Sequence, residues 1–428
     1  MKKTKFLMSF VMLCAIFSKT IFAVTFEENI VIKGLRPMGM GGAFTAISDD
    51  ENSFFYNPAG ISAVYDNTLQ IFSINANINN YVQPTYAFCN KHIDDFMHFD
   101  ELEPSKQGSF VDKIYKSILN FKPSVFISIP NIFFIKSPID INRNSLNFGF
   151  GVFSYAKAAL EFNKGAFLPS LSYNLEATGI GLFPVAYRIH SLNALNLPGV
   201  LSLGINFKYA YRLINSKQNL SINEISSYDF GGNFFDATAF GLDFGVLYYL
   251  NPRWHFGVNT TDLYNSQFNY KKSNLVKVGK NEKETTTKEE GYSSKINPIL
   301  NIGFAYIPEK FYYWPGKYLD TNSNITFAFD LTDLTNPSET VELTPFKKIH
   351  MGAEYRLNPL SLRTGLNSGY PTFGMGINLK AVNLEYAFYG QEKGLLPGQD
   401  PDWTHSFLLS FRLRWSNTNT TNKEEKQC

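Results

Sequence analysis

Large apolar and polar side chains alternate with a period of two along much of the chain. In VLSLGINFKYAYRL, residues 200–213, every odd position from 201 is large and apolar, and the even positions between them are polar or small. The same alternation occurs in residues 239–250, 381–390 and 406–415. Because successive side chains of a strand point to opposite faces, each segment predicts a β-strand with one apolar face and one polar face.

About fourteen segments of this kind follow one another, and the sequence therefore predicts an all-β chain. An even number of strands places both ends of a closed sheet on the same side. The predicted strands are residues 67–79, 122–134, 146–157, 174–190, 199–214, 235–250, 253–263, 295–306, 323–333, 345–357, 359–367, 371–379, 381–389 and 404–415.

Strand length and aromatic placement distinguish two architectures. A soluble sandwich would bury the apolar faces, whereas a membrane barrel turns them toward lipid. Many of the segments span about 10 to 14 residues, above the ~5–6 typical of soluble strands and near the ~9–11 that cross a bilayer. We therefore predict a transmembrane antiparallel β-barrel of about 14 strands over residues 67–415. Aromatic residues near strand ends agree with an interfacial girdle: Tyr248, Tyr249, Trp254, Tyr389, Trp403 and Trp415.

The connections predict which end of the barrel is which. Leu250–Arg253, Leu357–Leu360 and residues 379–382 are short turns, and two of them contain Asn-Pro. Longer connections lie at 215–234, 264–294 and 390–403. If the N-terminus is periplasmic, the short turns are periplasmic and the long loops face outward. Residues 271–290 mix acidic and basic side chains, which indicates an exposed loop and not a nucleic-acid surface.

The two ends of the chain differ from the strand pattern. Residues 1–23 combine a basic head with a short apolar run, which predicts a secretory signal peptide or, alternatively, an uncleaved anchor. Residues 416–428 are polar, and we expect a disordered tail. Cys89 and Cys428 remain after cleavage, and the sequence leaves open whether they form a disulfide. No later segment has the ~18 consecutive apolar residues of a membrane-spanning helix.

One predicted outer loop carries a helical pattern. In SKQGSFVDKIYKSILNF, residues 105–121, the apolar side chains Phe110, Ile114, Ile118 and Phe121 recur at helical spacing with charges between them. Two interpretations stand. The helix packs over the barrel mouth, or these side chains form a gate that captures an apolar ligand.

The segment before the first strand, residues 24–66, predicts a plug. Fourteen strands enclose more space than their own side chains fill, and a glycine-rich segment can lie close to other backbone inside the lumen. The predicted plug residues are Gly39, Gly41, Gly42, Asp49, Asp50, Asn57, Pro58, Ala59 and Gly60. We expect Asp49 and Asp50 to face wall arginines, because a buried charge needs compensation. The charges predicted to face the lumen are Lys208, Arg212, Asp243, Asp330, Glu354, Arg356, Arg363, Glu385, Arg412 and Arg414.

The opening G…GMGGAFTAISDD…NPAG, followed by a strand, resembles the N-terminal hatch of FadL-type outer-membrane barrels. The matching positions are Gly39, Ala43, Ala46, Asp49, Asp50, Asn57, Pro58 and Ala59. The resemblance implies a location in the bacterial outer membrane. It also implies transport of long-chain fatty acids or similar hydrophobic molecules: an outer groove captures the ligand, the hatch rearranges, and the ligand leaves sideways through the wall. The looser resemblance to PorV-type barrels of type IX secretion implies instead a platform for a protein partner.

Catalytic patterns are missing from the sequence. The six histidines are scattered, and there is no metalloprotease, phosphate-loop or nucleophile-elbow motif. His92 and His98 lie near Asp94, Asp95 and Asp100, which suggests either a metal site or an exposed acidic loop. The formal net charge of +2 does not indicate a nucleic-acid partner. We predict a non-enzymatic barrel without a cofactor or metal, in contact with membrane lipids, with an outer-membrane phospholipase or protease as the alternative.

Overall fold

The computed structural model forms a closed antiparallel β-barrel. It describes residues 32–165, 168–192, 196–228, 234–264, 266–272, 291–313, 317–320, 324–335, 345–393 and 398–416. The predicted signal peptide, plug residues 24–31, most of the charged loop, Cys428 and the tail from 417 lie outside these ranges.

Fourteen wall strands surround the lumen, and the first pairs with the last, from Asn67 opposite Trp415 to Asn79 opposite Thr404. The second wall strand is interrupted and consists of β2 and β3. The wall strands are β1 Asn67–Asn79, β2 Ser124–Ser128 with β3 Ile132–Ile135, β5 Asn144–Asn163, β6 Ser170–Ile189, β7 Val200–Ser221, β8 Phe235–Tyr249, β9 Trp254–Thr261, β13 Ile299–Tyr306, β16 Ile325–Leu331, β17 Ile349–Arg356, β18 Leu360–Asn367, β19 Tyr370–Leu379, β20 Val382–Glu392 and β21 Pro401–Trp415. Shorter strands accompany them: β4 Ile139–Ile141, β10 Gln267–Asn269, β11 Lys271–Lys272, β12 Ser293–Lys295, β14 Lys310–Tyr313 and β15 Lys317–Asp320.

The side chains point as the period of two predicts. On β7, Phe207 is 54% exposed, whereas its neighbour Lys208 is 4% exposed. On β8, Phe240 is 73% exposed and Asp243 is buried. The apolar face therefore forms the outside of the barrel, as a wall surrounded by hydrocarbon requires, and the prediction of a 14-stranded barrel is confirmed.

Three neighbouring strands are much longer than the others. β5, β6 and β7 contain 20, 20 and 22 residues, whereas β9, β13 and β17 contain eight each. The Asn-Pro turns lie at one end of the barrel, which we call the Asn-Pro end. The long strands project beyond the opposite end, which we call the helical end because three helices follow β1 there.

The alternation of short turns and long loops is less regular than predicted. At the helical end, β18 and β19 are joined only by Ser368 and Gly369, which have φ of 53° and 89°. Two consecutive residues with positive φ are typical of a tight hairpin turn. Conversely, the connection from β13 to β16 at the Asn-Pro end is long and contains the β14–β15 hairpin.

The described helices are α1 Leu35–Gly39 in the plug and three at the helical end: α2 Val82–Lys91, α3 Ile93–Met97 and α4 Pro104–Ser117. The apolar face of α4 is closed. Phe110, Ile114 and Ile118 are at most 1% exposed and pack with Phe162 of β5 and with Ile222 after β7. In the described part of the chain, no helix is long and apolar enough to cross a membrane.

Replacing Phe207 by arginine should destabilise the protein by about 2–4 kcal/mol if that side chain meets hydrocarbon near the bilayer midplane. Unfolding by urea in phospholipid vesicles measures the change. The control is Tyr264→Arg, because Tyr264 is 77% exposed just after β9 at the helical end. It should change stability by less than about 0.5 kcal/mol. Equal losses for the two variants would contradict the lipid-facing assignment of Phe207.

Candidate functional site

Residues 32–66 form a plug whose compact shape follows from its local sequence. After α1, Gly41 and Gly42 have φ of 68° and 86°, a conformation that glycine adopts without strain. Two short 3-10 turns follow, at residues 51–54 and 58–63. The side chain of Asp50 accepts a hydrogen bond from the Asn52 amide, so that it caps the first turn. Asn57 caps the second in the same way through the Ala59 amide.

Asn57 also attaches the plug to the wall. Its Nδ2 donates to the carbonyl oxygen of Thr45 at 2.9 Å, within the plug, and to that of Val246 on β8 at 3.1 Å. The side chain is fully buried. One amide thus caps a turn with its oxygen and joins plug to wall with its nitrogen, which gives the Asn-Pro-Ala-Gly segment a physical role.

Inward-facing glycines of the wall allow the plug to approach closely. A Cβ added at Gly204 would lie 2.2 Å from the Ala59 nitrogen, and one at Gly352 would lie 2.2 Å from the Met40 carbonyl oxygen. Such distances exclude a side chain unless the backbone moves. These glycines were not among the predicted site residues, although their places on the inward-facing side of the predicted strands were a usable signal. The wall glycines of this kind are Gly204, Gly245, Gly257, Gly303, Gly352, Gly365 and Gly374.

A buried charge cluster fixes one side of the plug. Glu354 of β17 accepts hydrogen bonds from Arg36 of the plug at 3.0 and 2.9 Å. It also accepts from Arg363 at 2.8 Å and from Arg356 at 2.9 Å. Glu354 is 1% exposed, so its charge is compensated by guanidinium groups and not by water.

The acidic pair of the plug joins the same cluster. Asp49 pairs with Arg36 and lies 3.4 Å from Nη2 of Arg356, which is one of the wall arginines predicted to face it. Asp50 does not pair with a wall arginine as expected; its partner at 2.7 Å is Arg36, inside the plug. Arg36 was not among the predicted site residues, because a single arginine between glycines and apolar residues carries no pattern of its own.

Two further contacts between plug and wall use different chemistry. Arg412 of β21 pairs with Glu51, with Nη1 at 2.9 Å from Oε2. Asp330 of β16 accepts from the backbone amides of Phe44 and Thr45, each at 2.8 Å. The plug is therefore attached on several sides of the lumen.

The remaining predicted lumen charges mostly pair within the wall. Lys208 lies 2.7 Å from Asp243 and 2.8 Å from Asp262, and all three are buried. Arg212 lies 3.0 Å from Glu176. Arg363 and Glu385 approach to 3.4 Å. Arg414 lies on the same face of β21 as Arg412, as predicted, but it is exposed at the Asn-Pro end.

The lumen is apolar on one side, although the alternation along the predicted strands turns their polar faces inward. On one side of the barrel, several inward positions of β3, β5, β6 and β8 carry aromatic and aliphatic side chains. We call the resulting cluster the apolar chamber. It includes Ile32, Phe54 and Phe55 of the plug, Phe133, Ile135, Phe153, Tyr155, Ile180, Leu182, Phe235, Phe268 and Tyr270. Parity alone distinguishes the two faces of a strand, but it does not require the inner one to be polar.

The apolar chamber borders the interruption of the second wall strand. β2 pairs with residues 75–78 of β1, and β3 pairs with residues 68–70, with Ile129, Pro130 and Asn131 between them. Ile129 is exposed and Asn131 is buried. A groove of about 500 Å³ begins beside the interruption, and its lining includes the exposed residues Ile129, Ala156 and Ala177. The backbone pairing of the wall is thus interrupted beside the apolar part of the lumen.

A second cavity, of about 490 Å³, lies below the plug at the Asn-Pro end. Arg188 lies over the rings of Tyr65 and Tyr249 at 5.7 and 5.1 Å. The polar lining of the cavity also includes Asp49, Arg356 and His255. The predicted gate residues are remote from this cavity, in the closed cluster of α4 at the other end.

The histidines do not form a metal site in the described part of the chain. His92 contacts Asp95 at 2.8 Å, and His98 contacts the carbonyl oxygen of Asp94 at 3.2 Å. Among the described residues, no group of three or more His, Cys, Asp or Glu side chains is placed to hold a metal.

Several solved structures are similar to the chain over nearly its whole length. The toluene transporter TodX of Pseudomonas putida shares 11% identity, with 91% of this chain and 100% of that chain covered and a TM-score of 0.49. The toluene transporter TbuX of Ralstonia pickettii shares 12%, with coverages of 90% and 99% and a TM-score of 0.46. A FadL homologue of Pseudomonas aeruginosa shares 11%, with coverages of 90% and 98% and a TM-score of 0.43. The last is from the family that the sequence resembles. Because the identities are low and the TM-scores lie below 0.5, we draw no conclusion about function from these likenesses.

One family profile matches part of the chain. The family described as "F plasmid transfer operon, TraF, protein" matches residues 170–316, which is less than half of the chain and does not assign it to that family. No curated protein sequence matches the chain.

Replacing Gly352 by alanine should loosen the plug, because the new Cβ would collide with the Met40 carbonyl. We expect several-fold more frequent openings in planar bilayers. Gly179→Ala is the matched control, since a Cβ at Gly179 meets nothing within 4 Å. Wild-type conductance in both variants would show that the plug does not depend on this close approach.

The plug should become less stable as the pH rises through neutrality. Burial raises the pKa of Glu51 to about 7, with Arg412 opposing the shift and Asp50 and Glu385 adding to it. The unfolded carboxyl has a pKa of about 4.3, so the folded chain binds the proton more tightly. That contribution to stability is complete in acid and is lost as the pH rises through about 7.

Urea unfolding between pH 5 and 8 measures this effect. The unfolding midpoint of the wild type should fall with pH relative to that of Glu51→Gln, which keeps the shape of the side chain but does not titrate. Parallel pH profiles for the two proteins would contradict the shift assigned to Glu51.

Proposed function

We propose that the protein is a bacterial outer-membrane barrel that passes hydrophobic small molecules, such as long-chain fatty acids, without chemical change. The observation that carries the proposal is the apolar chamber inside the lumen, which borders an interrupted wall strand. A channel for polar solutes would have no use for so many inward-facing aromatic side chains.

The proposed route begins at the helical end, which faces outward if the chain before β1 is periplasmic. The cluster around α4 covers the mouth there, and its buried residues Phe110, Ile114 and Ile118 form the capture site once the helices separate. The ligand then enters the apolar chamber, where Phe54 and Phe55 belong to the plug. Movement of the plug would therefore remodel the chamber directly.

The proposed exit is sideways, through the interrupted strand. A hydrophobic molecule that left through the Asn-Pro end would enter water, which is unfavourable for apolar surface. Lateral release keeps it in hydrocarbon. The groove beside Ile129 lies where such a molecule would emerge.

Uptake of oleate into liposomes that contain the pure protein and an internal fatty-acid sensor tests the proposal, with protein-free liposomes as the baseline for spontaneous entry. Phe153→Asn should reduce protein-dependent uptake several-fold, because Phe153 is 5% exposed and lines the apolar chamber. Phe150→Ala is the matched control, since Phe150 is on the same strand and faces outward, 54% exposed. Absence of protein-dependent uptake, with a co-purifying protein, would favour the platform alternative.

A further inference from the structure

The contact between β1 and the interrupted strand is only partly made by backbone. We call this contact the seam. Its two ladders, at residues 75–78 and 68–70 of β1, leave the stretch between them without a pairing to β2 or β3. The register of β1 against β21 shifts in the same place, between Gln70 and Phe72. The backbone therefore leaves a weak point in an otherwise continuous wall.

Buried side chains bridge that weak point. Nε2 of Gln70 donates to the carbonyl oxygen of Asn131 at 3.0 Å and to Oγ of Ser73 at 3.1 Å. Nδ2 of Asn131 also donates to Ser73 Oγ, at 3.1 Å. All three side chains are at most 5% exposed. Side-chain hydrogen bonds here take the place of the missing ladder.

Asn131 extends the bridge to the next strand. Its Oδ1 accepts from Ser128 Oγ at 3.0 Å and from the Ser154 amide of β5 at 3.2 Å. Ser154 Oγ in turn donates to the Ile129 carbonyl oxygen at 2.7 Å. The interruption is therefore held on both edges.

The bridge is connected to the plug through Arg412. Nε of Arg412 donates to Oε1 of Gln70 at 3.2 Å, and its Nη1 lies 2.9 Å from Oε2 of Glu51. A guanidinium can only donate hydrogen bonds. Gln70 must therefore present its oxygen to Arg412, and this turns its NH2 group toward Asn131 and Ser73. The orientation that closes the seam is thus set by an arginine that the plug holds.

We propose that Gln70 is a latch of the seam, and that Glu51 keeps it closed by holding Arg412 in place. When the plug withdraws Glu51, Arg412 loses its partner, the Gln70 amide is no longer oriented, and β1 separates from the interrupted strand. This inference rests on the proposed lateral exit and adds the residues that couple plug movement to it.

Spin labels across the seam test the latch without any ligand. Ile71 and Ile132 are both exposed on the outer face, 52% and 45%, and would carry the labels in a cysteine-free protein. Gln70→Glu is the decisive variant. It keeps an acceptor for Arg412 but removes the donors to Asn131 and Ser73. The label distance should increase by about 5 Å or more, roughly one strand spacing.

Glu51→Ala, which removes the acceptor for Arg412, should lengthen the same distance, and the double variant Glu51→Ala with Gln70→Glu should add little, because both residues act on one path. Gln391→Leu is the control, since Gln391 contacts Lys33 of the plug but lies away from the seam. It should leave the distance unchanged. Gln70→Asn tests rescue, because it retains both the donors and the acceptor on a shorter side chain and should restore part of the closed population.

An unchanged distance in Gln70→Glu would overturn the latch, and so would equal lengthening in Gln391→Leu. Additive effects of the two single variants would show that Glu51 and Gln70 act separately. Oleate uptake by the wild-type protein tests the proposed function, whereas the label distances test the latch. A failure of the proposed function can therefore be told apart from a failure of the latch. Oleate uptake that persists after Ile71→Cys and Ile132→Cys are joined by a short cross-linker would reject the lateral exit while leaving the chamber assignment intact.

Discussion

The structure depends on the need to compensate charges that the plug and wall bury together. Glu354 is surrounded by three guanidinium groups, one from the plug and two from the wall. Removing the buried Arg36 would leave three acidic groups less compensated where water hardly reaches, which costs far more than losing an exposed ion pair. The same need explains why Arg36 and Asp49 sit together at the point where α1 meets β17 and β18. Attachment of the plug is therefore specific in position as well as strong.

The inner wall is divided into regions with different tasks. The glycine positions admit the plug backbone, several charged positions hold it, and the apolar chamber lies beside them. The chamber borders one buried ion pair, Arg212 with Glu176, whose charges compensate each other. A hydrophobic ligand and a charged plug could not share one surface, because each would be unfavourable against the lining that suits the other. The charges that hold the plug lie on β16, β17, β18 and β21, whereas the apolar chamber lies along β3, β5, β6 and β8. This separation lets one lumen serve both, and the interrupted strand lies next to the apolar region.

The sequence predicted the wall far better than the lumen. Alternation along β7 and β8 gives both the strand and its outward face, because lipid and lumen impose opposite demands on neighbouring residues. The alternation along β17 and β21 also predicted that Glu354 and Arg412 face the lumen. It could not pair them with Arg36 and Glu51, since those contacts join residues hundreds of positions apart through an irregular segment. The wall glycines were visible as small inward residues, yet only the position of the plug shows what they contact.

The unequal strand lengths have a mechanical consequence. β5 pairs with β6, and β6 with β7, over almost their whole lengths, whereas β13 and β16 share only five paired positions. A force that pulls the sheet apart must break many backbone hydrogen bonds at once in the first region and few in the second. The barrel therefore has a stiff sector and a compliant one, and extraction from a membrane would begin in the compliant sector.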